Sequence, residues 1–228
     1  MIESWRELLY PLGFLSTFAF CGRFLLQWIH SEIKRESVVT VNFWRLSLVG
    51  NLLLLLHSFI QAQLHVGLIQ TCNAIISWCN MNLMGAREKQ ITTKQTLLLL
   101  TGALILSLGL FILQGIFLMN HAFDLFRVPI TLWHLHADLH VTWPWHVLGL
   151  AGLLLFNARF WVQWWGVEQK QTSYIGPSFW WISLMGDLLC LSYFARLNDP
   201  VNLIGPVFGL IPYIRNLMLL RKTALNQS

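Results

Sequence analysis

Apolar residues run through this chain in long blocks, and polar residues gather in the short breaks between them. A helix that crosses a membrane needs about 20 largely apolar residues. Seven segments meet that length, roughly 8–30, 41–62, 65–86, 95–119, 145–166, 176–197 and 201–221. The breaks read EIKRES, QAQ, REKQITTK, a longer outer segment from about 120 to 144, EQKQTS and RLNDP. Two of them, Gln61–Gln63 and Leu197–Pro200, are so short that the flanking helices must be antiparallel neighbours. The pattern predicts an all-α integral membrane protein with seven transmembrane helices.

The blocks also repeat. At an offset of 136 residues, without a gap, Arg23–Leu55 aligns with Arg159–Leu191, and 15 of the 33 positions are identical. Leucine matches carry little information in a Leu-rich chain. The shared Arg23/Arg159, Gln27/Gln163, Trp28/Trp164, Glu32/Glu168, Lys34/Lys170, Trp44/Trp180 and Gly50/Gly186 carry much more. On the same offset Asn80 meets Asn216. The halves are therefore spans 1–3 and 5–7. Three spans reverse the chain's direction and the fourth reverses it again, so both halves enter the membrane in the same sense. The expected fold is two parallel three-helix-bundle repeats joined by a linker helix, related by an axis along the membrane normal. The expected units are 1–86, the linker helix and outer loop 87–144, and 145–228. A substrate site is expected between the halves, near the midplane.

Composition agrees. Hydrophobic residues make up 56% and charged residues 11%, against about 25% charged in a soluble domain. This excludes an ordinary soluble enzyme and a disordered chain, and the end-to-end distribution excludes a single-span anchor. The net charge of +5 sits mostly at span ends, so orientation explains it and nucleic acid is not an expected partner. Lys34, Arg35, Arg87, Lys89, Lys94, Lys170, Arg221 and Lys222 fall on one side; Arg6, Arg127 and Arg196 fall on the other. The positive-inside rule then places the N-terminus outside and the C-terminus in the cytoplasm. The first apolar block lacks a basic leader and a small-x-small cleavage site, so it is expected to be retained. Cys21, Cys72, Cys79 and Cys190 lie in apolar segments without CxxC spacing and read as small buried hydrophobes.

Polar residues inside the blocks are the candidate chemistry. An ionisable group in mid-span costs about 2.5–3.5 kcal/mol on insertion scales. Arg23 and Gln27 are four residues apart on one helix face, and Arg159 and Gln163 repeat them. Asp187 is expected to pair with Arg159, while Arg23 faces the neutral Asn51 at the equivalent place. Surplus guanidinium in a span suits an anionic ligand such as a phosphate or pyrophosphate head group. Trp28/Trp164 and Trp44/Trp180 could stack on sugar rings or form an interfacial belt. Asn80/Asn216 could bond substrate or join helices. Gly50/Gly186 reads as close packing, and Arg45 as snorkelling to the rim. Glu32, Lys34, Glu168 and Lys170 could make a rim gate across the halves or a solvated cluster. His134, His136, Asp138 and His140 alternate in the outer loop, but no second cluster completes a metal site, and none is expected. No nucleophile–base constellation or phosphate-binding glycine loop stands in the sequence, so neither catalysis nor a cofactor is expected.

The 3+1+3 arrangement resembles the SWEET and PQ-loop transporters. The segment FCGRFLLQWIHSEIKRESVVTVNFW, followed by RLSLVG, resembles the lipid A biosynthesis N-terminal domain family, and FNARFWVQWWGVEQKQTSYIGPSFWWISLMGD is similar to it again. The resemblance covers both halves. It implies a Gram-negative inner-membrane setting and a role in lipid A or envelope glycolipid synthesis. In that family the domain can precede a lipid-A-disaccharide synthase glycosyltransferase. This chain ends shortly after the seventh span, so that activity is not expected of it. The sequence thus leads to a carrier or binder of an anionic lipid-linked sugar or sugar phosphate. Arg23, Arg159 and Asp187 would hold charge, with Gln27, Gln163, Asn51, Asn80, Asn216, Trp28 and Trp164 around the ligand. The alternative is a non-transporting module that presents substrate to a separate glycosyltransferase. Membrane lipids and a phosphorylated glycolipid are the implied partners, and homodimerisation stays open.

Overall fold

A computed structural model describes residues 4–34, 39–118, 129, 141–170 and 177–225. Side chains of residues 4, 118, 167–170 and 222–225 are outside that description. The described residues form helices α1 (Ser4–Leu9), α2 (Phe14–Lys34), α3 (Val41–Gln61), α4 (Leu64–Leu83), α5 (Thr93–Leu118), α6 (Trp143–Lys170), α7 (Pro177–Leu197) and α8 (Pro200–Leu225), with 3-10 turns at Tyr10–Gly13 and Arg87–Lys89. No strand occurs among them.

Six helices are long and apolar enough to cross a membrane: α1–α2 taken together, α3, α5, α6, α7 and α8. The expected third span, α4, has 20 residues but falls short of that hydropathy. Its polar residues are the reason. His65, Gln70, Thr71, Asn73, Ser77 and Asn80 are all buried, so α4 hides polarity inside the molecule. Elsewhere the surface is apolar: Phe117 is 76% exposed and Leu98 72%. Such a surface suits hydrocarbon and not water.

The principal neighbours are α2 with α3, α3 with α4, α4 with α6, α6 with α7, α7 with α8, and α8 with α2. This closes a ring of six helices, three from each half. The linker helix α5 stands outside the ring against α4, and its all-round apolarity follows from that position.

Local signals repeat along with the fold. Thr40 caps α3, its hydroxyl accepting from the Phe43 amide at 3.4 Å. The α3–α4 hairpin turns through Ala62 at φ 57° and the α7–α8 hairpin through Asn198 at φ 53°, 136 residues later. A Cβ on Gly50 would lie 2.7 Å from the Phe20 ring, and one on Gly186 would lie 2.8 Å from the Phe156 backbone nitrogen. Both glycines are close-packing sites, as expected.

Candidate functional site

Two observations fix the axis that relates the halves. A residue can touch its own repeat mate only where the axis passes. Gln63 and Asp199 are mates, and Gln63 Nε2 donates to Asp199 Oδ2 at 3.2 Å. Arg23 and Arg159 are mates, and both line one cavity of about 60 Å³ between the halves. A water-sized body needs about 10–15 Å³ on this measure, so the cavity has room for some four such bodies, about the number of oxygens in a phosphate.

Each guanidinium lies against a set of aromatic rings, and the sets are mates as well. Arg23 is 4.9 Å from the Phe20 ring centroid, 4.5 Å from Phe24 and 5.2 Å from Phe43. Arg159 is 3.5 Å from Phe156, 4.5 Å from Phe160 and 5.8 Å from Phe179. Phe160 is also 5.9 Å from Arg23, so one ring serves both cations. All these distances lie within the range of cation–π attraction. The arginines are 3% and 1% exposed. Arg23 Nη1 donates to Ser47 Oγ at 3.1 Å, and Arg159 Nη1 donates to the Tyr213 hydroxyl. Neither Nε has a hydrogen-bond partner.

The expected Arg159–Asp187 pair is not made. Both Asp187 carboxyl oxygens lack a hydrogen-bond partner, and Arg159 Nη1 instead donates to Tyr213 from α8. The mate of Tyr213 is Ser77, which instead receives the Asn51 amide at 3.1 Å. Among the described residues neither arginine therefore hydrogen-bonds a carboxylate; Asp187 acts on Arg159 only through space, and the two guanidiniums face one cavity.

Of the other expected site residues, Asn51 lines that cavity. Gln27 joins Arg23, Arg159 and Tyr213 around a smaller void of about 10 Å³, and its Nε2 is unpartnered, as is Gln163 Oε1. Asn80 and Asn216 turn back on their own helices, donating to the Ile76 and Pro212 carbonyls at 2.9 and 2.7 Å. They neither line the cavity nor join helices through those amides. Trp164 is buried in the aromatic core, whereas its mate Trp28 is 46% exposed on the outside. Trp44 and Trp180 are each 1% exposed, so they are core residues and not a belt, and Trp180 lines the smaller void beside both arginines. At one rim Glu32 of the first half meets Arg215 of the second at 2.9 Å; Lys34 is exposed there. The side chains of Glu168 and Lys170 lie outside the described residues, as does the histidine-bearing stretch 134–140.

Sequence reasoning missed the Phe cages, since repeated phenylalanines look like ordinary apolar matches. It also missed Gln70, Asn73 and Asn202, which line the cavity but have no like mate. The opposite end holds a further set. Asp199, fully buried, accepts from the Tyr10 hydroxyl at 2.7 Å and the Asn202 amide at 2.7 Å, besides Gln63.

Comparison with known proteins matches this architecture. The family model described as "Lipid A Biosynthesis N-terminal domain" matches residues 12–82 and again 148–218, two copies at the 136-residue offset. Proteins named lipid-A-disaccharide synthase are similar to it. The one from Chlamydia pneumoniae is 35% identical over 215 residues, covering 94% of this chain and 34% of its own. Those from Chlamydia abortus and Chlamydia felis are 32% and 31% identical over 220 residues, each covering 95% of this chain and 34% of their own. The chain thus spans about a third of the length of the curated relatives it matches. No solved structure gives a significant match. Matched in both halves of its ring, the chain belongs to the lipid A biosynthesis N-terminal domain family.

Proposed function

We propose that this protein binds an anionic lipid-linked sugar or sugar phosphate of lipid A or envelope glycolipid synthesis, and carries it across the inner membrane by alternating exposure of the cavity between its halves. The observation that carries this reading is the pair of buried repeat-mate guanidiniums sharing one cavity with no acid bonded to either. A phosphate has the charge and the lone pairs to satisfy both. In this reading α4 is the third of seven spans. The N-terminus lies outside, and the units 1–86 and 145–228 rock about the axis.

A second reading has support of its own. The matched relatives bear the name of a glycosyltransferase, and this chain corresponds to about a third of their length. The module would then present the substrate to such an enzyme without moving it. Membrane lipids are partners in both readings.

The test is native mass spectrometry of the protein extracted with its own lipids, comparing wild type with Arg23→Gln/Arg159→Gln. The expected result is a phosphorylated glycolipid on the wild type and its loss from the double variant. An empty wild type, or the same lipids retained by both proteins, overturns the anion site. Movement of the identified lipid between the leaflets of reconstituted vesicles supports carriage. Binding without movement, together with co-purification of a glycosyltransferase, supports presentation.

A further inference from the structure

The two halves supply matching arginines and phenylalanines, but their third helices supply different cavity walls. On α4 the lining residues include Gln70 and Asn73. Their repeat mates on α8 are Pro206 and Gly209, and Pro206 lines the cavity opposite Gln70. One wall can exchange hydrogen bonds through side chains. The other sets Leu153, Phe156 and Phe194 beside Pro206, and its one amide, Asn202, commits its Nδ2 to Asp199. Because α8 builds its part of the ring with Pro206 and Gly209 at these two positions, the fold does not require amides there on α4.

Asn73 is also poorly satisfied. Asn73 is 2% exposed and Gln70 8%. Their mutual contact, Asn73 Nδ2 to Gln70 Oε1, is long at 3.5 Å, and Asn73 Oδ1 has no partner. A buried acceptor left unmet loses its hydration without a replacement hydrogen bond. Asn202 approaches from α8 with its amide committed to Asp199. An unmet amide acceptor in a cavity shared with two cations matches a ligand whose polar hydroxyls adjoin an anion.

We infer that Gln70 and Asn73 on α4 form a sugar-recognition subsite, which reads the hydroxyls of a glycosyl phosphate whose phosphate lies between Arg23 and Arg159. This rests on the anion-site reading above and adds to it a preference for glycosylated over plain phosphodiesters. The closed cavity accommodates the phosphate, and parting of the halves exposes the α4 wall to the ring. The largely apolar wall of Leu153, Phe156, Phe194 and Pro206 faces the other phosphate substituent, so the ligand's asymmetry matches that of the two walls.

The test uses two phosphodiesters of equal charge, decyl glucosyl phosphate and didecyl phosphate, titrated onto the full chain in nanodiscs. Two or so hydrogen bonds to a neutral sugar predict about a tenfold preference of the wild type for the glucosyl probe. Gln70→Met/Asn73→Leu is expected to bring that ratio close to one, with thermal unfolding in detergent reporting that the variant is folded. If the double variant does not fold, Gln70→Met alone is expected to reduce the ratio about threefold. A wild-type ratio near one, or a preference that survives these substitutions, overturns the subsite while the anion site stands. A wild type that binds neither probe overturns the anion site itself, and this inference with it.

Discussion

At the residue scale the cavity owes its form to what surrounds two cations. A guanidinium out of water keeps part of its solvation through ring faces, and Phe160 serves both arginines. The glycines behind the cages leave the needed room, but with different tolerances. A methyl on Gly50 meets the edge of the Phe20 ring, which can swing away. One on Gly186 meets the Phe156 backbone nitrogen and the Gly152 carbonyl oxygen, which cannot. Gly186→Ala is therefore expected to destabilise by about 1–3 kcal/mol and Gly50→Ala by less, measured by thermal unfolding in detergent. Equal losses would refute the asymmetry. The arginines, their glutamines and these glycines were legible in the sequence, because rare residue types repeated at one offset stand out. The Phe cages and the Arg159–Tyr213 bond were not. Phenylalanine matches are ordinary in an apolar chain, and Tyr213 replaced a serine in the other copy, so no repeat signal marked it.

At the element scale the span pattern was legible for six helices, and α4 marks its limit. Hydropathy reports the solvent a helix faces, and α4 has exchanged lipid for protein on its polar side. The hairpin turns show a second kind of information, shared geometry without shared residue type. Ala62 and Asn198 both adopt left-handed backbone. Asparagine does so readily, while alanine is strained there by about 1–2 kcal/mol. Ala62 is 5% exposed, which leaves little space for a larger side chain. Ala62→Gly is thus expected to raise stability by about 0.5–1 kcal/mol, after the extra chain entropy of glycine is offset. A lower unfolding temperature for Ala62→Gly would show that the turn is not strained.

At the scale of the whole molecule, the ring is closed at the end that carries the α3–α4 and α7–α8 turns. There Asp199 receives Tyr10 and Gln63 from the other half, and Tyr10 in turn accepts from the Val201 amide at 3.2 Å. These contacts join residues 136 to 191 positions apart, so no local pattern in the sequence announces them; only the symmetry axis brings them together. For the cavity to open toward that end, this clasp must break. Tyr10→Phe removes a hydroxyl from a buried carboxylate at little change in volume, a loss of about 1.5–3 kcal/mol from the closed form. That corresponds to at least a tenfold rise in the open population. Cys190 lines the cavity and is 2% exposed, so its thiol reports the opening directly. In a protein whose Cys21, Cys72 and Cys79 are replaced by serine, Tyr10→Phe is expected to speed maleimide labelling of Cys190 about tenfold from the turn-bearing face. Weakening the opposite rim by Glu32→Gln, which breaks the half-exposed pair with Arg215, is expected to change labelling from that face less than twofold, since solvent screens an exposed pair. Equal labelling rates in wild type and Tyr10→Phe would mean that the Asp199 cluster is hairpin scaffolding, and that the halves do not part at that end.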